Sequence, residues 1–266
     1  MPNNLFIKSI SIQPDRENPF PFNVPSIKNC NEIQFDSPIT FFIGDNGTGK
    51  STLLETLGHK LNLPLIGGGI GRHAGFEAAR KLSSFLSIDW EFEFGTGFFF
   101  RAEDFSAFVD SAERNALSQE LFYSQFRGEL KDSVIKQMKQ SANSAARNMR
   151  KDYGQDMQAF SHGEAYLHIM HQRIQDRGIF LLDEPEAALS PSRQLSLIYF
   201  ILNHIKSHRA QFIIATHSPI LMATPGASIY QITDDSMEHV DLHETEHYSI
   251  TKSFLDNPEV FLRHLE

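Results

Sequence analysis

The sequence is poor in cysteine, in long uncharged runs and in positive charge, and each shortage excludes a class of protein. Its single cysteine, Cys30, cannot form an intramolecular disulfide, which excludes a disulfide-stapled scaffold and predicts a reducing, cytoplasmic setting. No run approaches the roughly 18 uncharged residues of a membrane-spanning helix, and the first ten residues lack the pattern of a leader, so no membrane insertion is predicted. Because 24 Lys and Arg face 33 Asp and Glu, the surface as a whole attracts nucleic acid only weakly, although a local basic patch is still allowed.

The sequence does have enough apolar material for a folded core. Of its 266 residues 41% are hydrophobic and 23 are phenylalanine, which fits one domain, or one domain with a sizeable insertion. Strand and helix patterns alternate in both outer parts of the chain, which predicts an α/β fold. Strands are predicted over Leu5–Ile12, Thr40–Ile43, Gly178–Leu182 and Gln211–Ala215 and near Ile33, Ile229 and Val240, and helices over Lys50–Leu61 and Pro191–Lys206.

A β-hairpin is predicted between residues 88 and 100. Four apolar residues, Ile88, Trp90, Phe92 and Phe94, alternate with acidic residues, which is typical of a strand with one buried face. The Gly95–Gly97 segment then allows a turn into three consecutive phenylalanines.

The middle of the chain has a different composition. From about Asp104 to Lys151 it is rich in Ala, Ser, Gln, Lys and Arg and has almost no Gly or Pro, which predicts two or three helices. We therefore predict an α/β core made of residues 1–103 and 159–266, with residues 104–158 forming a helical insertion subdomain.

A glycine-rich loop follows the predicted strand that ends at Ile43 and precedes a predicted helix. The loop consists of Gly44, Asp45, Asn46, Gly47, Thr48, Gly49, Lys50 and Ser51. This spacing matches the phosphate-binding P-loop, in which glycines let backbone N–H groups converge on phosphate oxygens at a helix N-terminus. Lys50 is predicted to reach the β- and γ-phosphates, Ser51 to ligate Mg²⁺, and Thr52 to contact the α-phosphate side. The alternative is an ordinary glycine turn into a helix.

Two acids end the next strongly apolar strand. Asp183 and Glu184 follow Gly178–Leu182, which places them at the carboxyl edge of the sheet, where open α/β sheets bind ligands. Asp183 is predicted to hold Mg²⁺ through water, and Glu184 to polarise the water that attacks the γ-phosphate. A strand simply capped by surface acids is the alternative.

Two weaker motifs complete the set. His217 ends the strand over Gln211–Ala215 and is predicted to hydrogen-bond the γ-phosphate, although a histidine with a purely structural role is an alternative. Ser161, Gly163 and Glu164 precede an amphipathic helix, and the capping-box spacing of Ser161 and Glu164 offers a second explanation for that motif.

The order of these motifs resembles the ABC-type ATPases over nearly the whole chain. Ser161, Gly163 and Glu164 match the family's signature loop, while His162 replaces its first glycine. The resemblance implies a P-loop core with a mixed sheet, and Mg²⁺-dependent hydrolysis of ATP. It also implies a head-to-tail homodimer in which each signature loop binds the ATP of the other subunit. The LDEPEAALSP and ATHSPIL segments are most similar to small stand-alone ATPases related to the chromosome-maintenance and recombination branch.

The sequence departs from the family pattern at two places. Ser190 stands where the family usually has an aspartate after the catalytic glutamate, and Arg101, Ala102 and Glu103 stand where a glutamine usually follows a strand. We hypothesise that Arg101 or Glu103 senses the nucleotide or Mg²⁺.

The use of ATP turnover is left open among three classes. Residues 127–151 hold seven basic residues against two acids, which favours DNA or RNA as a partner in nucleic-acid maintenance or defence. A solvated helical face explains the same residues. The other classes are the ATP-binding subunit of a membrane transporter and an ATP-gated regulator of a toxin or other effector protein.

Three histidines near the end of the sequence, His239, His243 and His247, have the spacing that would bind Zn²⁺ on a helix. The segment Met237–Leu242 is predicted to be a strand, so the fourth-residue spacing would not lie on a helix face, and no metal site is predicted there.

Overall fold

The computed structural model of the chain describes residues 5–13, 19–66, 77–103, 167, 170–171, 173–174 and 176–263, which form two β-sheets and the helices packed on them. The strands are β1 (Ile7–Ile12), β2 (Ile33–Gln34), β3 (Ile39–Gly44), β4 (Leu65–Ile66), β5 (Leu86–Trp90), β6 (Gly97–Arg101), β7 (Gly178–Asp183), β8 (Ala210–Ala215), β9 (Ser228–Ile232) and β10 (Met237–His239). The helices are α1 (Pro19–Phe22), α2 (Pro25–Lys28), α3 (Lys50–Lys60), α4 (Glu77–Ser83), α5 (Pro191–Ser207), α6 (Pro219–Met222), α7 (Glu246–Asp256) and α8 (Pro258–Leu262), with 3-10 turns at Pro185–Ala188 and Leu242–Glu244.

Within the described residues the larger sheet has seven strands, in the order β10-β9-β3-β8-β7-β6-β4. All neighbours in it are parallel except β9 and β10, so the prediction of a mixed sheet is confirmed. Every residue of β3, β7 and β8 is buried, as expected for parallel strands covered on both faces. Helix α3 packs on one face and α5 on the other, each over its own apolar cluster. The carboxyl ends of β3, β7 and β8 therefore meet at one edge of the sheet.

The smaller sheet is antiparallel, with the order β2-β1-β5, and side chains of the larger sheet hydrogen-bond to its strands, Tyr230 of β9 at the carbonyl of Gln34 and Gln211 of β8 at the start of β1. Gln211 of β8 is fully buried. Its Oε1 accepts hydrogen bonds from the backbone N–H groups of Phe6 (3.0 Å) and Ile7 (2.8 Å), and its Nε2 donates to the carbonyl of Ile7 (3.0 Å). The start of β1 thus obtains its buried backbone partners from a side chain.

The predicted hairpin between residues 88 and 100 is wrong. Strand β5 pairs with β1 in the smaller sheet, whereas β6 lies in the larger sheet, parallel to β7 and β4. The two patterns explain this separation. The alternation around β5 suits a sheet with one exposed face, while the phenylalanines of β6 are buried on both faces. Gly97 also lies against β7, where a Cβ atom would be 2.2 Å from the carbonyl oxygen of Ile179.

The other predicted elements agree with the structure to within one or two residues in α3, α5, β3, β7 and β8. The proline-rich connection after β1 contains the short helices α1 and α2, because proline is tolerated in the first helical turn. The predicted insertion, residues 104–158, lies outside the described residues, so its helices and boundaries stay predictions. None of the helices in the described ranges has both the length and the apolar character of a membrane span.

Replacing Gln211 with leucine should destabilise the chain by about 3 kcal/mol, because the N–H groups of Phe6 and Ile7 and the carbonyl of Ile7 would lose their partners while staying buried. The measurement is urea unfolding followed by circular dichroism. Gln34→Leu is the matched control, since Gln34 is exposed and its side chain contacts only exposed Glu32 among the hydrogen bonds described. Equal stability of the Gln211→Leu variant and the wild type would contradict this account of how the sheets are joined.

Candidate functional site

The glycine-rich loop between β3 and α3 has a backbone that only glycine adopts easily. Gly44, Gly47 and Gly49 have φ values of +146°, +88° and +89°. A Cβ atom on Gly44 would lie 2.3 Å from the carbonyl oxygen of Ile232, and one on Gly49 would lie 2.2 Å from Cγ1 of Val24. Any other residue at these three glycines would have a strained backbone. At Gly44 and Gly49 its side chain would also clash with neighbouring atoms.

Helix α2 braces this loop, which the sequence did not indicate. The hydroxyl of Ser26 donates to the carbonyl of Gly49 (2.8 Å), and the N–H of Ser26 donates to the carbonyl of Thr48 (2.9 Å). The hydroxyl of Thr48 donates to the carbonyl of Asp45 (2.9 Å). Hydrogen bonds therefore hold the residues that follow the exposed tip of the loop, Asp45 to Gly47.

Lys50 is the first residue of α3 and is only 5% exposed. Its Nζ donates to the carbonyl oxygens of Gly44 (2.8 Å) and Asp45 (3.0 Å). Burial lowers the pKa of Lys50, while Glu184, Asp183 and other nearby carboxylates act in the opposite direction. The ammonium is therefore held inside the loop by backbone carbonyls and faces a group of carboxylates.

A hydrogen bond joins the loop to the acidic end of β7. The hydroxyl of Ser51 donates to Oδ1 of Asp183 at 3.1 Å. Burial raises the pKa of Asp183 to about 6, and the Ser51 hydrogen bond and the charges of Arg101 and Lys50 lower it again in part. The carboxylate of Asp183 and the hydroxyl of Ser51 together offer two oxygen ligands for a cation. A bound cation would also stabilise the buried negative charge of the carboxylate.

An open cavity of about 200 Å³ adjoins Ser51 and Asp183 and is also lined by Arg101, Ala102, Glu103, Glu184 and Ala187. Mg²⁺ is commonly held by one or two protein oxygens together with phosphate oxygens, so this donor set fits the predicted ion. Within the described ranges, no three His, Cys, Asp or Glu side chains lie close enough to hold a metal by themselves.

Glu184 has an unusual backbone conformation. Its φ and ψ are 49° and 49°, in the left-handed region, and its N–H donates to the carbonyl of Ala215 at 2.9 Å. This turn leaves the Glu184 side chain about half exposed, with Oε1 at 3.8 Å from Nε2 of His217. Strain of this kind at a non-glycine residue persists where neighbouring structure enforces it, which is common in functional sites.

Two partners of His217 were missed by sequence reasoning. The N–H of His217 donates to Oε1 of partly buried Glu186 (2.6 Å), and Nδ1 of His217 lies 3.2 Å from Nε2 of His247 in α7. Burial raises the pKa of Glu186 and lowers that of both histidines. Glu186 and His247 lie 31 and 30 residues from His217, so no local spacing could have signalled these contacts.

The residues in place of the expected glutamine do reach the site. In the register of β6 and β7, Arg101 lies beside Asp183. Its guanidinium forms ion pairs with Glu55 of α3 (3.1 Å) and with Glu103. The hypothesis that Arg101 or Glu103 senses nucleotide or metal stays a prediction, made at residues that line the cavity.

The remaining residues singled out in the sequence either lie at helix starts or fall outside the described residues. Thr52 lies in the first turn of α3, where its carbonyl accepts a hydrogen bond from the Thr56 hydroxyl. Ser190 is the residue before α5, and its hydroxyl lies 3.2 Å from that of Ser192. The signature-like residues Ser161, Gly163 and Glu164, and the basic segment 127–151, lie outside the described residues.

Comparison with protein families supports the interpretation of both halves of the site. A family model described as "AAA domain, putative AbiEii toxin, Type IV TA system" matches residues 151–223, and one described as "AAA domain" matches residues 22–58. The first range contains Asp183, Glu184 and His217, and the second contains the whole glycine-rich loop. These matches to AAA-domain models support the resemblance to a P-loop ATPase and the prediction that the chain binds a nucleotide. No curated protein matches the sequence.

Several solved structures are distantly similar to the chain. A putative metal-chelate type ABC transporter in an inward-facing conformation has 15% identity and a TM-score of 0.47, with 92% of this chain and 88% of that chain covered. An Smc head domain from Pyrococcus furiosus, bound to the C-terminal domain of ScpA, has 12% identity and a TM-score of 0.46, with 94% and 99% covered. The SMC head domain from Thermotoga maritima has 14% identity and a TM-score of 0.45, with 89% and 100% covered. Similarities this distant carry no argument about function.

The Asp183→Asn variant should become more stable than the wild type as the pH rises. Because the pKa of Asp183 is raised from 3.8 to about 6, the folded chain binds more protons than the unfolded chain between these values, and ionisation above them disfavours folding. The difference should grow from pH 4 to pH 7 and approach about 3 kcal/mol at most. Urea unfolding without nucleotide or divalent cations measures it.

Asp89→Asn is the control for this measurement, because Asp89 is an exposed residue of β5 whose carboxylate lies 3.9 Å from Lys8. Its stability difference from the wild type should stay small at every pH. An Asp183→Asn variant whose relative stability falls or stays constant from pH 4 to pH 7 would contradict the idea that burial of this charge is unfavourable.

Proposed function

We propose that the chain is an Mg²⁺-dependent ATPase in which ATP binding closes a homodimer and hydrolysis opens it. The observation that carries the proposal is the hydrogen bond between Ser51 and Asp183, because it joins the phosphate loop to the acidic strand end. The charge of Glu184 acts on both Lys50 and His217, since it raises the pKa of each against the effect of burial, and its Oε1 lies 3.8 Å from Nε2 of His217. The alternative, an ordinary glycine turn into a helix that binds no ligand, does not explain why these charged residues lie close together.

The proposed binding roles follow from this arrangement. The loop from Gly44 to Gly49 receives the phosphates, and Lys50 leaves its loop carbonyls for the β- and γ-phosphate oxygens. Ser51 and, through water, Asp183 would hold Mg²⁺, which would supply positive charge against the phosphates. Thr52 is next in the helix and faces the α-phosphate side.

Hydrolysis then needs a positioned water. Glu184 orients the water and receives its proton as the water oxygen bonds to the γ-phosphorus and the bond to the bridging oxygen of ADP breaks. His217 donates a hydrogen bond to the γ-phosphate. The products are ADP and inorganic phosphate, and loss of the γ-phosphate removes the contacts that hold the second subunit.

Dimerisation rests on the signature-like residues Ser161, Gly163 and Glu164, which in the ABC-type pattern bind the nucleotide of the opposite subunit. The exposed loop tip from Asp45 to Gly47 and the half-exposed Glu184 leave the nucleotide site open to a partner. An open site of this kind is expected before a second subunit covers it.

Glu184→Gln should trap an ATP-bound dimer. The substitution keeps the size of the side chain and removes the carboxylate that accepts the proton of the attacking water, so ATP turnover should fall by about 100-fold or more. Size-exclusion chromatography with light scattering, with and without saturating Mg·ATP, measures the oligomeric state. Lys50→Ala is the comparison variant, and it should neither bind ATP nor dimerise. A Glu184→Gln variant that binds ATP and stays monomeric would contradict the proposed dimer.

We further propose that the ATP-driven dimer acts in nucleic-acid maintenance or defence, with residues 127–151 as the contact surface. A second candidate is an ATP-gated regulator of a partner toxin or effector, which the description of the matched family as a putative toxin of a Type IV TA system favours. The two candidates differ in whether the chain itself binds nucleic acid.

Replacing Lys131, Lys136 and Lys139 with alanine should weaken binding to a fluorescent DNA or RNA oligonucleotide and reduce the slope of log K against log salt by about one per lost phosphate contact. Fluorescence anisotropy between low and physiological salt measures both quantities. The matched control replaces Lys28, Lys60 and Lys206, three exposed lysines of the described helices. Absence of wild-type binding at low salt would exclude the nucleic-acid role, and a protein partner recovered only with ATP would favour the effector role.

A further inference from the structure

Two histidines from distant parts of the chain share one hydrogen bond beside Glu184. Nδ1 of His217 and Nε2 of His247 are 3.2 Å apart, and their ring centroids are 5.4 Å apart with an angle of 43° between the ring planes. We propose that His247 is a positioning residue: it donates Nε2–H to Nδ1 of His217 and so keeps the other proton of the pair on Nε2 of His217. The inference rests on the proposed function, in which that Nε2–H donates to the γ-phosphate.

One proton lies between the two nitrogen atoms, and either histidine can supply it. If His217 donated from Nδ1, its Nε2 would have no proton and could only accept a hydrogen bond. If His247 donates, Nε2 of His217 carries the proton and is a donor. The direction of one hydrogen bond therefore decides whether His217 can donate to an anion.

The surroundings of His217 favour donation by His247. The Nε2 atom of His217 is buried and has no hydrogen-bond partner among the described residues. It lies 3.8 Å from Oε1 of Glu184. A protonated Nε2 faces that carboxylate favourably, whereas a bare nitrogen would place a lone pair against a negative charge. Lys50, the nearby cation, has its ammonium bonded to the carbonyls of Gly44 and Asp45.

Burial also keeps both rings neutral, so the choice is between tautomers. Burial is the largest cause of the lowered pKa values of His217 and His247, and the charge of Lys50 lowers both pKa values further. Neutral imidazole has one donor and one acceptor nitrogen, which is the condition for a tautomer fixed by a neighbour.

His247 is itself held firmly enough to act in this way. His247 is the second residue of α7. The N-cap residue of that helix, Thr245, is completely buried. The hydroxyl of Thr245 accepts from the N–H of Tyr248 (3.3 Å) and donates to the carbonyl of Leu242 (2.8 Å). On the other side, Glu186 fixes the backbone of His217 through a 2.6 Å hydrogen bond. Both rings are thus attached to capped or hydrogen-bonded backbone.

The tautomer can be measured directly in the full chain without nucleotide. Nitrogen-15 NMR of histidine side chains separates protonated from unprotonated ring nitrogens, and the His217→Gln variant identifies the His217 signals by their loss. We expect wild-type His217 to be protonated on Nε2. His247→Gln should keep this state because its amide Nε2 can donate, while His247→Phe, which has a ring of similar size and no donor, should shift part of the His217 proton to Nδ1. Protonation of wild-type His217 on Nδ1 would overturn the inference, as would an unchanged tautomer in His247→Phe.

Turnover provides the second readout. His247→Phe should lower kcat for ATP about 10-fold with little change in KM, because the lost orientation matters most when charge develops in the transition state. His247→Gln should restore kcat to within about threefold of the wild type. His243→Phe is the control, since His243 is exposed and packs only on the ring of Tyr248 among the ring contacts described. A lower kcat in His247→Phe that His247→Gln does not restore would indicate a structural role and overturn the inference.

Failure of this inference is distinguishable from failure of the proposed function. A wild-type chain that hydrolyses ATP with His217 protonated on Nδ1 contradicts the inference and the hydrogen bond assigned to His217, while the proposed ATP hydrolysis stands. A chain with the expected tautomer that neither binds nor hydrolyses ATP contradicts the proposed function, and with it the purpose assigned to His247.

Discussion

The hydrogen bond between Ser51 and Asp183 is the contact on which the arrangement of the site depends. It joins residues that lie 132 positions apart, one at the start of α3 and the other at the end of β7. Both positions follow from the parallel order of β3, β8 and β7, which brings three carboxyl ends to one edge. If β7 were antiparallel to β3, Asp183 would lie at the opposite edge of the sheet from Lys50. The parallel sheet is therefore the reason that short polar motifs, far apart in sequence, meet in one place.

This meeting of charges is unfavourable in the absence of a ligand. Burial lowers the pKa of Lys50 and raises the pKa values of Asp183 and Glu186, which means that the fold disfavours the charged form of each group. Glu184 adds a backbone in the left-handed region. A protein keeps such features when a ligand that is present during function stabilises them, and they cluster at sites that bind or react. The cost in folding free energy is met by the two apolar clusters on either face of the sheet.

The sequence predicted those parts of the site that depend on local order along the chain. The glycines before Lys50, the acids after β7 and the histidine after β8 each follow a buried strand, and a strand end is visible in the sequence. The brace from Ser26, the contact of Glu186 with the N–H of His217 and the pairing of His217 with His247 depend on which loops meet in space. The hairpin prediction failed for a related reason: alternation and turn residues describe each strand, but they do not say which sheet the strand joins.

The pairing of β6 with β7 places Arg101 beside Asp183, at a position where the sequence lacks an expected glutamine. The two strands are parallel, and the resemblance to ABC-type ATPases predicts a neutral glutamine at this position. Glu55 of α3 binds that guanidinium at 3.1 Å, so the charge is attached to the same helix that carries Lys50 and Ser51. The charges of Arg101 and Lys50 both lower the pKa of Asp183 against the effect of burial. With a pKa of about 6, Asp183 is mostly ionised at pH 7, which is the form that an oxygen ligand for a divalent cation requires. A neutral amide at position 101 would withdraw one of these two charges, so the departure from the family pattern acts directly on the charge state of the predicted metal ligand.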